Sequence, residues 1–475
     1  MNPSSAIAPL PFARKSPLVL AWVAFAVYAA LAAALIQFVI LPHVIPALHA
    51  GHGLIKDGDS IGYHQIAASM AAEIDRVGWR AWSPAPEGHI AAGLAAPFYV
   101  LITPEPWSLI PVNAMLHATA GVIVMYLLRL LGATTGIAFA GASLWVGFPS
   151  TMQWVSQIQK DCYFQVGMLC AMLGWVQLWR ATRRECPPRA MINAILLIAA
   201  GVLLTGMART VGFELLQAGG IIFACVAMPS LVRNWWSGKT GGLRFAVSTA
   251  VFLLLPAALA HTPRDHRMDH NIVLTAETGG MHGEETGGTH GDRVKILCCI
   301  EYWDRTPILP ASIDRALLRL IVARSGYGGA SYANAGSHID LDVKIRNALD
   351  FAAYLPRAVQ VGFLGPFPAH WIAPGASPGG TLMRIAAGIE MTIVYAVLLL
   401  GLPLAIWRWR GRVELWMCIL FCSALVTVFA YATPNLGTLY RLRFGFEMTL
   451  AAVGFAGLGM AIRDARSRRH LRQST

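Results

Sequence analysis

Long runs of apolar residues recur along the whole chain, and the charged residues lie in the segments between them. A run near twenty residues is long enough to cross the hydrocarbon core of a bilayer as a helix. The pattern predicts an all-α integral membrane protein with about ten spans, at residues 17–41, 107–131, 133–150, 161–181, 190–208, 211–232, 243–260, 384–407, 413–432 and 444–462. The lipid bilayer is therefore its predicted solvent.

Composition and charge agree with this pattern. The 475 residues are 56% hydrophobic and 13% charged, about half the charged share of a soluble protein. The net charge of +12 lies in short basic clusters on one side of the predicted spans, as the positive-inside rule requires of the cytoplasmic side. The rule places both termini inside. Because it also accounts for the basic clusters, no nucleic-acid partner is predicted. The sequence contains no N-glycosylation motif N-x-S/T in which x is a residue other than proline. This absence favours a bacterial inner membrane over the endoplasmic reticulum.

The spans divide the chain into three segments. Residues 1–260 form a predicted N-terminal transmembrane module, whose first outer loop covers 42–106 and contains a pattern typical of an amphipathic helix. Residues 261–383 form a predicted outer segment, mostly helical and lying on the membrane. Residues 384–475 form a C-terminal module with a basic cytoplasmic tail. His117, inside the second span, is predicted to bond a neighbouring helix.

Metal and disulfide chemistry find little support in the sequence. His266 and His270 would share one face of a helix, but the glycines that follow favour a loop. The eight cysteines contain no C-x-x-C spacing, so neither a zinc site nor a disulfide framework is predicted.

Ionisable residues at the outer ends of several spans break the charge rule. They are the cations Lys160, Arg209, Arg441 and Arg443 and the acids Asp161, Glu214, Glu390 and Glu447. Such groups are costly near hydrocarbon and normally face a polar cavity. Each alone is explained as an interfacial anchor or a structural ion pair, and Tyr440 as an aromatic-belt residue. As a set at one depth they indicate a site for an anion, and the arginine fork beside apolar walls suits a lipid phosphate.

Carboxylates near that site could act as a general base. Asp57 and Asp59 follow the first span, and Asp161 opens the fourth. The alternative for Asp59 is a helix N-cap, because a helical pattern starts directly after it. For Asp57 the alternative is an ordinary loop position.

The arrangement of these motifs resembles the C-type (GT-C) glycosyltransferase superfamily. The stretch "DSIGYHQIA" provides Asp59 and Tyr63 in the first outer loop, and "SQIQKDCYF" provides Asp161 with Lys160 beside it. Arg209, in "LTGMART", matches a family arginine at the end of the fifth span. The late basic residues Arg441 and Arg443 match carrier-binding positions. The resemblance departs from the family pattern at Ser60, where many relatives carry a second acid, and it does not extend to 261–383.

The resemblance implies an inverting transfer of a sugar from a polyprenyl-phosphate carrier to a glycan, lipid or protein on the outer face. Asp59 would deprotonate the acceptor hydroxyl, and Asp161 would be the second carboxylate of the catalytic site. The carrier phosphate would bind Arg441 and Arg443 with Arg209, Lys160 and Tyr440. Secondary candidates are Asp57, Tyr63, Glu214, Glu390 and Glu447. No cofactor is required, although Mg²⁺ or Mn²⁺ between Asp59 and Asp161 is an alternative.

Three other functions fit parts of the pattern. A polysaccharide polymerase or ligase would use a lipid diphosphate donor and outer arginines. A glycolipid transporter would show duplicated halves and binding charges near the midplane, which the sequence lacks. A non-catalytic subunit of envelope polysaccharide assembly would need neither Asp59 nor Arg441.

Overall fold

The structure is a computed structural model and describes residues 16–56, 58–209, 211–259, 272–274, 293–296, 301–328, 336–375 and 378–473. The chain forms two compact units. The first contains Met1–Leu169 and Gly459–Thr475, and the second contains Cys170–Leu458. The division of the chain falls within two helices, α7 (Asp161–Ala181) and α17 (Leu436–Gln473).

The first unit is helical. Its helices, before α7, are α1 (Pro17–Leu35, continued by a π-helical turn over Ile36–Val44), α2 (Ser60–Val77), α3 (Ile90–Leu101), α4 (Ile110–Leu130), α5 (Thr135–Val146) and α6 (Pro149–Val155). The amphipathic helix predicted in the first loop is α2, which buries Ala67, Ala71 and Ile74 on one face.

The second unit adds a small sheet to a helical frame. Its helices are α8 (Pro188–Ala208), α9 (Gly212–Trp236), α10 (Gly242–Leu259), α11 (Ala311–Ser325), α12 (Ala348–Leu364), α13 (Pro368–Trp371), α14 (Pro378–Ala396), α15 (Leu402–Trp409) and α16 (Val413–Ala432). The strands β1 (Ile272–Leu274), β2 (Arg293–Ile296) and β3 (Glu301–Asp304) pair antiparallel in sequence order, with Ile272 opposite Ile296 and Arg293 opposite Asp304. The sequence did not predict this sheet.

The described residues contain nine helices long and apolar enough to cross a membrane: Pro17–Val44, Pro106–Leu130, Asp161–Ala181, Pro188–Ala208, Gly212–Trp236, Gly242–Leu259, Gly379–Trp409, Val413–Ala432 and Leu436–His470. The predicted all-α, multi-pass membrane class is confirmed. Two predicted elements differ from the structure. The third span, 133–150, is not one helix, and the last helix begins at Leu436 rather than after the arginines.

In place of the third predicted span the structure has two short helices, because Gly147 and Pro149 interrupt the run between α5 and α6. We call residues 133–155 the broken crossing. At one end, Ala133 N donates to Leu128 O at 3.0 Å. At the other, Asn113 Nδ2 donates to Val155 O at 3.0 Å. Asn113 and Leu128 are about 22 Å apart along α4. Residues 133–155 therefore run alongside α4 from Leu128 back to Asn113, as two helices with a break between them.

Side chains from neighbouring helices satisfy the carbonyls that the break exposes. His117 Nε2 donates to Val146 O at 3.0 Å, and Tyr28 Oη donates to Gly147 O at 3.2 Å. Backbone polar groups without partners are costly in hydrocarbon, so a broken helix requires such donors. The bond predicted for His117 is confirmed.

We expect His117→Leu to lower the free energy of unfolding by about 1–2 kcal/mol, since it leaves the Val146 carbonyl without its donor. Thermal unfolding in detergent would measure the change. Met115→Leu, an exposed position of the same helix, is the matched control and is expected to have little effect. Equal stability of His117→Leu and wild type would contradict the role of this bond.

Candidate functional site

Asp59 stands at the start of α2 with an exposed side chain. It occupies the N-cap position, but its backbone is helical and its carboxylate makes no capping hydrogen bond. The backbone carbonyl of Asp59 accepts the first helical bond, from Tyr63 N at 3.1 Å. The carboxylate is therefore not used to cap the helix. Asp57 lies outside the described residues.

Ser60 fastens the start of α2 to the segment that leads into α7. Its hydroxyl is buried and donates to Ile158 O at 3.2 Å, across 98 residues of sequence. Gln159 Nε2 donates to the same hydroxyl at 3.0 Å. Asp59 is next to Ser60, and Lys160 and Asp161 directly follow Gln159. The structure thus brings the first-loop acid and the start of α7 to one place.

Three buried amide side chains fix the backbone near Asp59 and the start of α7, and the sequence pattern did not predict them. Gln157 Nε2 donates to Gly53 O, and Gln157 Oε1 accepts from Ile55 N, both at 3.0 Å. Asn113 Nδ2 donates to Gln157 O at 3.2 Å, and Gln37 donates to Ser156 O. The available signal was chemical: a neutral amide within an apolar run must find a hydrogen-bond partner.

Asp161 and Lys160 differ in exposure. Asp161 is only 2% exposed and lies in the first turn of α7, where the positive end of the helix dipole favours a carboxylate. Lys160 is partly buried, and its carbonyl accepts from Phe164 N at 3.1 Å. Asp161 is therefore less accessible than Asp59, and its predicted catalytic role stays a prediction.

Imidazole and phenol groups line the same end of the unit. His64 Nδ1 lies 2.7 Å from Tyr99 Oη, and His52 Nδ1 lies 2.9 Å from Glu105 Oε2. The rings of His52 and His64 are 5.0 Å apart. Tyr63, the motif residue one turn after Asp59, lies with its ring 5.5 Å from that of His89.

The pKa of His64 makes stability depend on pH. Burial lowers this pKa and the nearby His52 lowers it further, while Glu105 raises it. The unfolded chain therefore binds more protons here between the folded pKa and about 6.5. Stability is complete above about pH 6.5 and decreases as the pH falls through the folded pKa. We expect the melting temperature to fall between pH 7.5 and 5.5.

His64→Gln should reduce this fall, because it removes the shifted group. His89→Gln, an exposed histidine of the same region, is the control and should retain the wild-type slope. Melting temperatures measured across the pH range would test the assignment, and an unchanged slope in His64→Gln would contradict it.

Arg443, in the second unit, has no exposed surface. Its two terminal nitrogens donate to the carbonyls at the end of α12, which belong to Val361, Gly362 and Gly365. Its Nε lies 3.1 Å from Glu447 Oε2. With its donors used inside the protein, Arg443 is not available to a lipid phosphate, and we reassign it from ligand to structural anchor. Glu447 serves the same structural pair.

Arg441 and Arg443 have different environments because both lie within α17 rather than before it. Asn435 Oδ1 accepts from Thr438 N at 3.1 Å and caps the helix there. Residues two apart on a helix project about 200° apart, so one arginine can be buried while the other is not. Arg441 is partly buried. Tyr440 Oη donates to the buried Glu390 Oε2 at 2.5 Å.

The other predicted residues of this unit lie near the joint of α8 and α9. Arg209 ends α8 with an extended backbone and is partly buried. Glu214, in the first turn of α9, forms an ion pair with Arg319 of α11, at 2.6 Å between Nη1 and Oε1. Glu214 is thus partnered within the protein, as the ion-pair alternative predicts.

Metal ligands are not grouped in the described part of the chain, which holds no set of three or more His, Cys, Asp or Glu suited to an ion. His266 and His270 lie outside the described residues.

Comparisons of the chain with protein-family profiles, curated proteins and solved structures found no match.

Proposed function

We propose that the protein is an inverting glycosyltransferase that moves a sugar from a polyprenyl-phosphate carrier to a glycan, lipid or protein acceptor. We further propose that it works at the outer face of a bacterial inner membrane. One observation carries the proposal. The Ser60 contacts hold an exposed carboxylate, with no capping duty, beside the segment that carries Lys160 and Asp161.

The proposed chemistry needs one base and cationic charge near the leaving group. Asp59 takes the proton of the acceptor hydroxyl while its oxygen bonds to the anomeric carbon. The bond from that carbon to the phosphate oxygen breaks, and the carrier phosphate leaves with the electron pair. Attack from the opposite face inverts the anomeric centre. The Lys160 ammonium would stabilise the leaving phosphate. The phosphate contacts of Arg209 and Arg441 stay predictions of the sequence.

Transport of a glycolipid is a second candidate, which the broken crossing favours. Interrupted membrane helices in transporters offer backbone groups to a substrate at the break. Here the carbonyls of Val146 and Gly147 already accept bonds from His117 and Tyr28. Because these carbonyls already have donors from the protein, they do not offer a substrate site. We therefore prefer sugar transfer over transport.

A donor assay separates these functions. The protein in nanodiscs would receive radiolabelled sugars on undecaprenyl monophosphate or undecaprenyl diphosphate, with a cell-envelope extract as the acceptor. We expect monophosphate donors to be consumed, with release of undecaprenyl phosphate and label in the acceptor. Consumption of diphosphate donors alone would indicate a polymerase or ligase. Movement of intact labelled lipid across vesicles would indicate transport, and no turnover of either donor would indicate a non-catalytic subunit.

A further inference from the structure

The helix α12 has apolar residues on two opposite sides. Tyr354, Ala358 and Val361 are buried on one side. The other side is solvent-accessible in the protein alone, with exposed fractions of 74% for Leu349, 47% for Leu355 and 40% for Val359. Ala352, Ala353 and Pro356 are exposed there as well. A large apolar face of this kind marks a surface that another apolar phase covers.

The contacts of α12 with α16 show that it runs inward from one end of a membrane span. Near its start, the ring of Phe351 stacks on Tyr431 at 3.9 Å, one residue before α16 ends. Near its end, Gly362 packs against Val426 and Ala430, and a β-carbon at Gly362 would lie 3.1 Å from Val426 Cγ1. Gly362 therefore lies beside residues two to six positions before the end of α16, and α12 slopes inward along the span.

The capping of α12 agrees with that depth. Arg443 donates to three carbonyls at the end of α12, and one of them, Val361 O, also accepts from Gly365 N at 3.0 Å. Arg443 is seven residues from the start of α17, about 10 Å along the helix. In water, solvent could hydrate these carbonyls, whereas within hydrocarbon they require a protein donor.

The exposed face of α12 continues the lipid-facing stripe of α16. That stripe consists of residues three or four apart: Trp416, Leu420, Ser423, Thr427 and Ala430. The exposed fraction is 36% at Trp416 and 42% at Leu420, but 1% at Ala430, where α12 covers the span. Beyond that point α12 presents the outer apolar surface in place of α16.

We infer that α12 is a re-entrant helix, inserted beside α16 from one side of the membrane, and that bilayer acyl chains cover its exposed face. The occupant follows from continuity with the span. The face carries Leu349, Leu355 and Val359 and one polar side chain, Gln360, whose Oε1 accepts from Arg357 beside it at 2.7 Å. It begins where the lipid-facing stripe of α16 ends. The segment 261–383 is thus in part a membrane-embedded element.

Photocrosslinking would test this inference independently of the proposed enzyme activity. p-Benzoylphenylalanine would replace Val359, with Leu420 as the lipid-facing reference and the exposed loop residue Asp342 as the aqueous control. Each full-length protein would be irradiated in phosphatidylethanolamine–phosphatidylglycerol nanodiscs and analysed by mass spectrometry. We expect lipid adducts at Val359 within about two-fold of Leu420 and about ten-fold above Asp342.

A yield at Val359 no higher than at Asp342 would overturn the inference, as would adducts mainly with a second copy of the chain. Size-exclusion chromatography would first establish that each variant is folded. If the Val359 variant is not, Leu355 reports the same face and carries the same expectation.

Discussion

Replacing Asp59 with Asn is expected to reduce sugar transfer by a factor of about 10²–10⁴, the usual contribution of a general base. The amide is nearly isosteric but cannot accept the acceptor's proton. The Asp59 carboxylate is exposed and makes no capping bond, so the start of α2 does not depend on its charge as a cap. Release of undecaprenyl phosphate and the melting temperature, measured on the same preparation, would separate catalysis from stability.

Asp75→Asn is the matched control, because Asp75 is another exposed aspartate on α2, about four turns away. It should keep both transfer and melting temperature. Ser60→Ala should transfer sugar at a rate between those of Asp59→Asn and Asp75→Asn. It removes the contacts that hold Asp59 near α7 but keeps the carboxylate. Full transfer by Asp59→Asn would exclude Asp59 as the base.

Replacing Arg443 with Ala is expected to lower the free energy of unfolding by about 3–5 kcal/mol, as breaking a buried ion pair typically does. The change leaves Glu447 as a buried charge without its cation and removes the donors to the end of α12. Arg443→Lys should recover only part of the loss, because an ammonium lacks the planar fork that reaches several acceptors. Unfolding in mixed micelles would measure both variants.

Two comparisons make the result specific to the buried pair. Arg410→Ala removes an exposed arginine and should change stability by less than about 0.5 kcal/mol. Adding Glu447→Leu to Arg443→Met should restore part of the loss, because no buried charge is then left uncompensated. A stable Arg443→Ala that fails only in donor use would instead restore Arg443 as a phosphate ligand.

The sequence located most of the spans because the requirement that sets them is local. A helix in hydrocarbon satisfies its own backbone, so a continuous apolar run of sufficient length is enough. The predictions 161–181 and 413–432 coincide with Asp161–Ala181 and Val413–Ala432. The broken crossing had a local signal as well, since Gly147 and Pro149 interrupt the run, but the length of the run alone concealed it.

The candidate site was only partly predictable. Asp59 and Asp161 were identified as acids at the starts of helices, and both are found there. The bonds that bring them together belong to Ser60, Gln157 and Gln159, whose partners are about 100 residues away. Neutral polar residues of this kind carry no local signal that specifies a partner.

By itself, the sequence determined the membrane class, the position of most spans along the chain and the residues whose charge requires an explanation. The tertiary structure alone decided what those charges contact. Arg441 and Arg443 were equivalent in sequence, yet Arg443 is held by the end of α12 and Glu447. The physical reason is that transfer from water to hydrocarbon depends on the composition of a segment, whereas a buried charge takes its role from partners that folding brings to it.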